Sequence, residues 1–324
     1  MTNVSFIVGN GLDLSLGMET SYREFYEYVK QKRLHPENRI YKAIQESPES
    51  WADFELSLGN YTRYIEKVAE KDRKNESVQL HNELAEIMED LAEYLENQEA
   101  AHEEGVEAIE FSASDYYQGL PSGQHQKISA LLPSNQQTNI DFVTLNYTKT
   151  LEKILSENRI RLRRYGINLG NPHHLHGDLA QDMTLGVSDE SQISEAMTGA
   201  ERDDLIKPSL IYSMNDGRIE MFQRLIANST IIVLFGTSIG DTDKYIWEIV
   251  TKWLSNSTDR AVIIHAHDSS YTGGVRRNSR MQKQYISNVQ EKLLRHSGLD
   301  GDSISTLRSQ IFVIHNTQSL FRDS

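Results

Sequence analysis

Apolar residues recur along this chain with two periods. Val4 to Val8, VSFIV, is a short β-branched and aromatic run stopped by Gly9; it is too short and too branched for a globular helix and predicts a buried strand. A polar, glycine-punctuated loop follows, GNGLDLSLGMETSY from Gly9 to Tyr22. Ser21 and Glu24 then fit a capping box, and Tyr22, Phe25, Tyr26 and Val29 share one helical face. The opening reads strand, glycine loop, helix.

The helical period dominates from about Arg39 to Glu110. WADFELSLGNYTRYIEKV reads helical in its second half, and Leu80, Leu84, Ile87, Met88, Leu91 and Leu95 form a stripe within a strongly acidic stretch. Such a stripe packs against neighbouring helices or serves as a lid or partner surface. The helical character ends in QGLPSGQHQ, whose Gly, Pro and Ser residues read as a loop.

A strand-like pattern then returns. IDFVTLNY (Ile140 to Tyr147), TIIVLF, AVIIHAHD and FVIHN (Phe312 to Asn316) are strand-like, and they alternate with the helical segments TKTLEKIL, MFQRLIAN, DKYIWEIVTKWL and Asn278 to His296. IRLRRYGINLG has room for a pair of strands, and the polar stretch from Leu185 to Pro208 reads as irregular and mobile. Apolar strands alternating with helices predict an α/β fold with a doubly wound, mostly parallel sheet. We place the core domain at residues 1–34 and 131–324 and a mostly helical insertion at 35–130.

Composition narrows the function classes. The 324 residues carry 33 positive and 47 negative side chains, a net charge of −14, which opposes a broad nucleic-acid surface. Cysteine is absent, so disulfides, thiolate nucleophiles and Cys-based metal sites drop out together. With neither a secretory leader nor a long apolar run, the sequence predicts a cytoplasmic protein that does not enter the membrane.

The candidate chemistry gathers at strand ends. Gly9 and Gly11 leave backbone N–H groups open to an anion, while Asn10 and Asp13 offer hydrogen bonds to a ribose or within the loop. Asn146 ends the strand in TLNYT, where its amide either caps the next helix or holds a ribose hydroxyl or a water. HHLHGD brings His173, His174, His176 and Asp178 together, compatible with metal ligation or with a single catalytic base at His176. In FGTSIGDTD, Gly236, Thr237, Ser238 and Gly240 follow a strongly apolar strand and suit a pyrophosphate or ribose, with Asp241 or Asp243 as alternative helix caps. The arginines of RLRR form a local basic patch.

GNGLDLSLGMETSY, WADFE, LNYTKTLE, HLHG and FGTSIGDTD, in that order, strongly resemble the abortive-infection AbiH family of bacterial phage-defence proteins. That family in turn resembles sirtuin-like Rossmann-type domains, whose open α/β fold binds NAD. The resemblance implies Asn146 and His176 as the catalytic pair, and Gly9, Asn10, Gly11, Asp13, Gly236, Thr237, Ser238 and Asp243 as nucleotide contacts. Asn10 and Asp13 stand where sirtuins carry small residues, and the sirtuin four-cysteine zinc module has no counterpart. The implied function is therefore NAD hydrolysis without a metal, other nucleotide hydrolysis, or noncatalytic nucleotide sensing, with nuclease activity opposed by the charge. A phage-derived trigger and a homo-oligomer are the implied partners besides the nucleotide.

Overall fold

The computed structural model describes residues 2–45, 54–132, 137–180, 182–215, 217–267, 275, 277–315 and 320–323. Trp51 to Asp53 of WADFE and Asn316 at the end of FVIHN lie outside the described residues.

Eight strands are present among them: β1 (Thr2–Val8), β2 (Ile109–Phe111), β3 (Thr138–Thr144), β4 (Ile167–His174), β5 (Ile231–Phe235), β6 (Ala261–Ala266), β7 (Ile311–His315) and β8 (Phe321–Asp323). Six form one sheet in the order β4-β3-β1-β5-β6-β7, and every pairing in it is parallel. β2 and β8 make a separate antiparallel pair. The large sheet is the mixed α/β, Rossmann-like arrangement that the alternating strands and helices predict. Its chain path runs outward from β1 through β3 to β4, then returns past β1 to lay β5, β6 and β7 on the other side. The order reverses between β1 and β5, and the crevice beyond their carboxyl ends is where such sheets bind ligands.

Both faces of the sheet are covered, which is why β5, β6, β7 and most of β1 are apolar at successive positions, while the edge strand β4 is polar and only half-buried. Val4, Phe6 and Val8 of β1 join one core with Ile154 and Leu155 of the helix Thr150–Arg163. Ile7, on the other face, joins Phe222, Trp247, Val250 and Leu293 from the helices Arg218–Asn228, Lys244–Ser255 and Ser279–Leu294. A third core forms away from the sheet. It joins Phe25, Tyr26 and Val29 of the helix Tyr22–Lys32 to the stripe Leu80, Leu84, Ile87, Leu91 and Leu95 on the long helix Arg73–Ala101. Residues Val106 to Ile128 pack instead into the first core, under β1 and β3. The helix Tyr22–Lys32 starts at the expected capping box: Glu24 N–H donates to Ser21 Oγ, and Ser21 N–H donates to Glu24 Oε2.

Several sequence expectations change. QGLPSGQHQ is a loop only as far as Pro121, where the helix Ser122–Leu131 begins, and in WADFELSLGNYTRYIEKV the α-helix is Phe54–Tyr61, with a 3-10 turn over Thr62–Lys67 in the second half. IRLRRYGINLG holds one strand, not a pair: Ile160 to Arg163 close the helix Thr150–Arg163, whose end favours cationic side chains, and β4 begins at Ile167. Residues 185–208, read as irregular and mobile, are tied down by buried anchors. Val187 bridges Ile206, and Leu185, Val187, Ile193, Met197 and Leu205 are all buried. The polar residues between those anchors hid them. No described helix is long and apolar enough to cross a membrane.

Candidate functional site

The carboxyl ends of β1, β3 and β5 open into a cleft of about 580 Å³, within the range of roughly 300–1,000 Å³ that small-molecule sites occupy. Its walls include Gly9, Asn10, Gly11, Asp13, Asn146, His176, Gly236, Thr237, Ser238, Gly240 and Asp243 of the residues singled out above, whereas His173, His174 and Asp178 line a separate cavity. Leu91 and Leu95 reach the same cleft from the long helix. The stripe therefore packs a helical core and supplies an apolar wall at once.

The two glycine loops are locked together. Gly9 N–H donates to Phe235 O and Gly11 N–H to Gly236 O, both at 2.9 Å. A Cβ on Gly11 would stand 2.5 Å from Gly236 Cα, and one on Gly236, whose φ is +67°, would stand 2.7 Å from Leu12 N. These glycines are required by each other's backbone. Asn10 has a similar duty: its Nδ2 donates to Thr20 O and its Oδ1 accepts the Thr20 hydroxyl, at 2.9 and 2.7 Å. Thr237 and exposed Ser238 are the hydroxyls left on the loop after β5 to meet a ligand.

Asp13 follows on the short helix Gly11–Ser15 and is 1% exposed. Thr148 Oγ1 donates to its Oδ2 at 2.6 Å, while Oδ1 has no hydrogen-bond partner. Burial pushes the carboxyl up to about 6, against the opposing pull of the Thr148 and Thr150 hydroxyls and the Asn146 amide. Asn146 does not cap a helix: the helix Thr150–Arg163 begins beyond Lys149, and Asn146 Oδ1 is buried without a partner. Its main chain is held at both ends, N–H by Thr144 Oγ1 and carbonyl by His174 Nδ1, at 3.1 and 2.9 Å.

The histidines of HHLHGD diverge instead of sharing a ligand. His173 Nε2 donates to Arg218 O, His174 Nε2 meets Glu152, and His176 Nε2 is hydrogen-bonded with the Tyr245 hydroxyl at 3.0 Å. Among the described residues no group of three His, Cys, Asp or Glu stands ready for a metal ion. Burial, with the nearby Lys207 charge, pushes His176 down to about 3, so its ring is neutral at physiological pH.

A buried ion pair system lies beside His176. Lys207 is 1% exposed and donates at 2.7 Å to Glu55 Oε2 and at 2.7 Å to Asp243 Oδ1; Asp243 also lies 3.4 Å from His176 Nε2. Burial alone would lower the Lys207 pKa, but Asp243 and Glu55 outweigh it and hold the ammonium up to about 12. Asp243 precedes the helix Lys244–Ser255 without capping it through its side chain. Lys207, Glu55 and Tyr245 were not singled out by the sequence. Glu55 lies inside WADFE, the one signal that pointed toward any of them.

The sequence matches, over residues 5–265, the family described as bacteriophage abortive infection AbiH. The chain belongs to the AbiH family. That span contains every cleft residue named above, from Gly9 through Glu55, Asn146, His176 and Lys207 to Asp243, and stops before β7. No curated protein matches the chain.

Proposed function

We propose that this AbiH chain is a phage-defence effector whose cleft binds NAD or a related ribonucleotide and hydrolyses its N-glycosidic bond. One observation carries the reading. Asp13 Oδ1 and Asn146 Oδ1, both buried and both without partners, lie on the cleft at the point where the order of a parallel sheet reverses. Unsatisfied polar atoms cost stability, and a ligand that completes them recovers it.

In the balanced reaction the oxygen of water bonds to C1′, the glycosidic electron pair leaves on nicotinamide, and one proton is released. Asn146 orients the water or the ribose through an amide whose main chain is fixed on both sides. Asp13, with a pKa near 6, takes the proton; a carboxyl tuned toward neutrality suits that task better than a histidine held near 3. His176 and Tyr245 present an uncharged polar pair to the ribose hydroxyls. Leu91, Leu95 and Leu14 offer a flat base an apolar surface, and exposed Arg23 stands at the mouth for phosphate.

A sensor that binds the nucleotide without cleaving it is favoured by the weak basicity of His176. Purified wild type, Asp13→Asn and Asn146→Ala separate the two readings. Cleavage predicts NAD binding by all three, with turnover reduced about 100-fold or more in the variants. Wild-type binding without product selects the sensor, and full turnover in both variants removes the assigned roles.

A further inference from the structure

His174, the last residue of β4, is half-buried two residues before His176. Its two ring nitrogens face two acceptors. Nδ1 lies 2.9 Å from the carbonyl oxygen of Asn146, and Nε2 is in close contact with Glu152 Oε1. A carbonyl accepts only, and so does an ionised carboxylate, so each nitrogen must carry a proton to satisfy its contact. We propose that His174 and Glu152 form a cationic positioning pair behind Asn146, which grips the Asn146 main chain and aims its side chain into the cleft.

Three further observations support the pair. Burial would lower the His174 pKa, yet the hydrogen bond and charge of Glu152 outweigh it and raise the value. Glu152 Oε2 has no partner, so the carboxylate is committed to this one ring. The His174 side chain is 12% exposed on a separate cavity of about 440 Å³, so protons still reach it. Asp178, 3.7 Å from Lys149, adds a smaller pull in the same direction as Glu152, and on the cavity wall Asp182 and Glu220 stand with Arg218 and Arg224. Glu152 is the largest of the influences that favour a charged ring, ahead of the Asn146 carbonyl and Asp178.

The three histidines of HHLHGD thus divide their work. His173 ties β4 to the helix Arg218–Asn228, His174 is a cation that positions Asn146, and His176 is a neutral group in the cleft. The kinetic consequence rests on the proposed nucleotide cleavage; the protonation state does not.

Two substitutions separate the halves of the ring. His174→Asn places an amide N–H where Nδ1 stood and keeps the grip on the Asn146 carbonyl. His174→Gln reaches toward Glu152 and loses that grip. Both are compared with wild type by urea denaturation, so that a failure to fold is recognised. The expected result is turnover of NAD lowered about 10- to 100-fold in kcat for His174→Gln, with His174→Asn closer to wild type. Equal kcat in the two folded variants overturns the positioning role.

The independent reading is the imidazole ¹H–¹⁵N spectrum of the full chain at pH 7. Both His174 nitrogens are expected to be protonated in wild type, and one of them to lose its proton in Glu152→Gln. A neutral His174 ring in wild type overturns the inference even if NAD is cleaved. Protonation as expected without NAD cleavage supports the cationic pair and removes the reading of the cleft as a glycohydrolase.

Discussion

Gly11 donates its backbone N–H to the carbonyl of Gly236 at 2.9 Å, across 225 positions of sequence, and so joins the loop after β1 to the loop after β5. This contact closes the floor of the cleft where the sheet changes direction. A side chain cannot enter it: Gly11→Ala would press a methyl against Gly236 Cα. The expected loss in stability is about 1–3 kcal/mol by urea denaturation. Gly236→Ala should lose about 1 kcal/mol more, because its left-handed backbone adds strain. A wild-type midpoint in both variants would show that the loops do not interlock.

Asp13 sets a stability cost against function. Its folded pKa of about 6 lies above the unfolded value of 3.8, so the folded chain binds more protons between those values. Stability therefore falls as pH rises through that window and levels off above it, by about 3 kcal/mol in all. Asp13→Asn removes the charge and keeps an acceptor for Thr148. It should be more stable than wild type by about 2–3 kcal/mol at pH 8, lose that advantage at pH 3.5, and lose turnover. Urea denaturation at the two pH values checks the sign; equal stability differences at both would refute the buried, ionising carboxyl.

Lys207 is expected to hold the helical part to the sheet. Lys207→Met strands the Glu55 and Asp243 carboxylates in the interior and should cost about 3–5 kcal/mol. Adding Glu55→Gln and Asp243→Asn to the same chain should recover most of that loss, because the uncompensated charges disappear. Denaturation of the single and triple variants tests this, and an additive, still larger loss in the triple variant would contradict it.

The sheet was legible because both of its faces are covered, which leaves strands such as Ile231–Phe235 apolar at every position. The strand-end residues Gly9, Asn146 and Gly236 were legible for the same reason, since polar punctuation stands out after an apolar run, whereas His176 follows the polar edge strand β4 and was legible only through the histidine cluster HHLHGD. Their individual duties were not. The glycines read as room for an anion, and their tightest neighbours are each other. Lys207 was hidden in a polar stretch because its partner Glu55 lies 152 residues away, and WADFE marked Glu55 without pointing to a cation. The near-neutral carboxyl of Asp13 is a product of burial, which no local pattern encodes. The opposite protonation of His174 and His176 likewise depends on burial of His176 beside Lys207 and on Glu152 beside His174, and neither Lys207 nor Glu152 adjoins them in sequence.

The most direct test of the central claim is incubation of the purified full chain with a mixture of NAD and other cellular nucleotides, followed by mass spectrometry, beside Asn146→Ala at equal concentration. The account predicts that wild type consumes NAD or a close relative, releasing the free base and the ribosyl product in equal amounts, and that Asn146→Ala leaves the mixture nearly unchanged. A wild-type sample that neither consumes nor retains any nucleotide, or an Asn146→Ala sample as active as wild type, would contradict it.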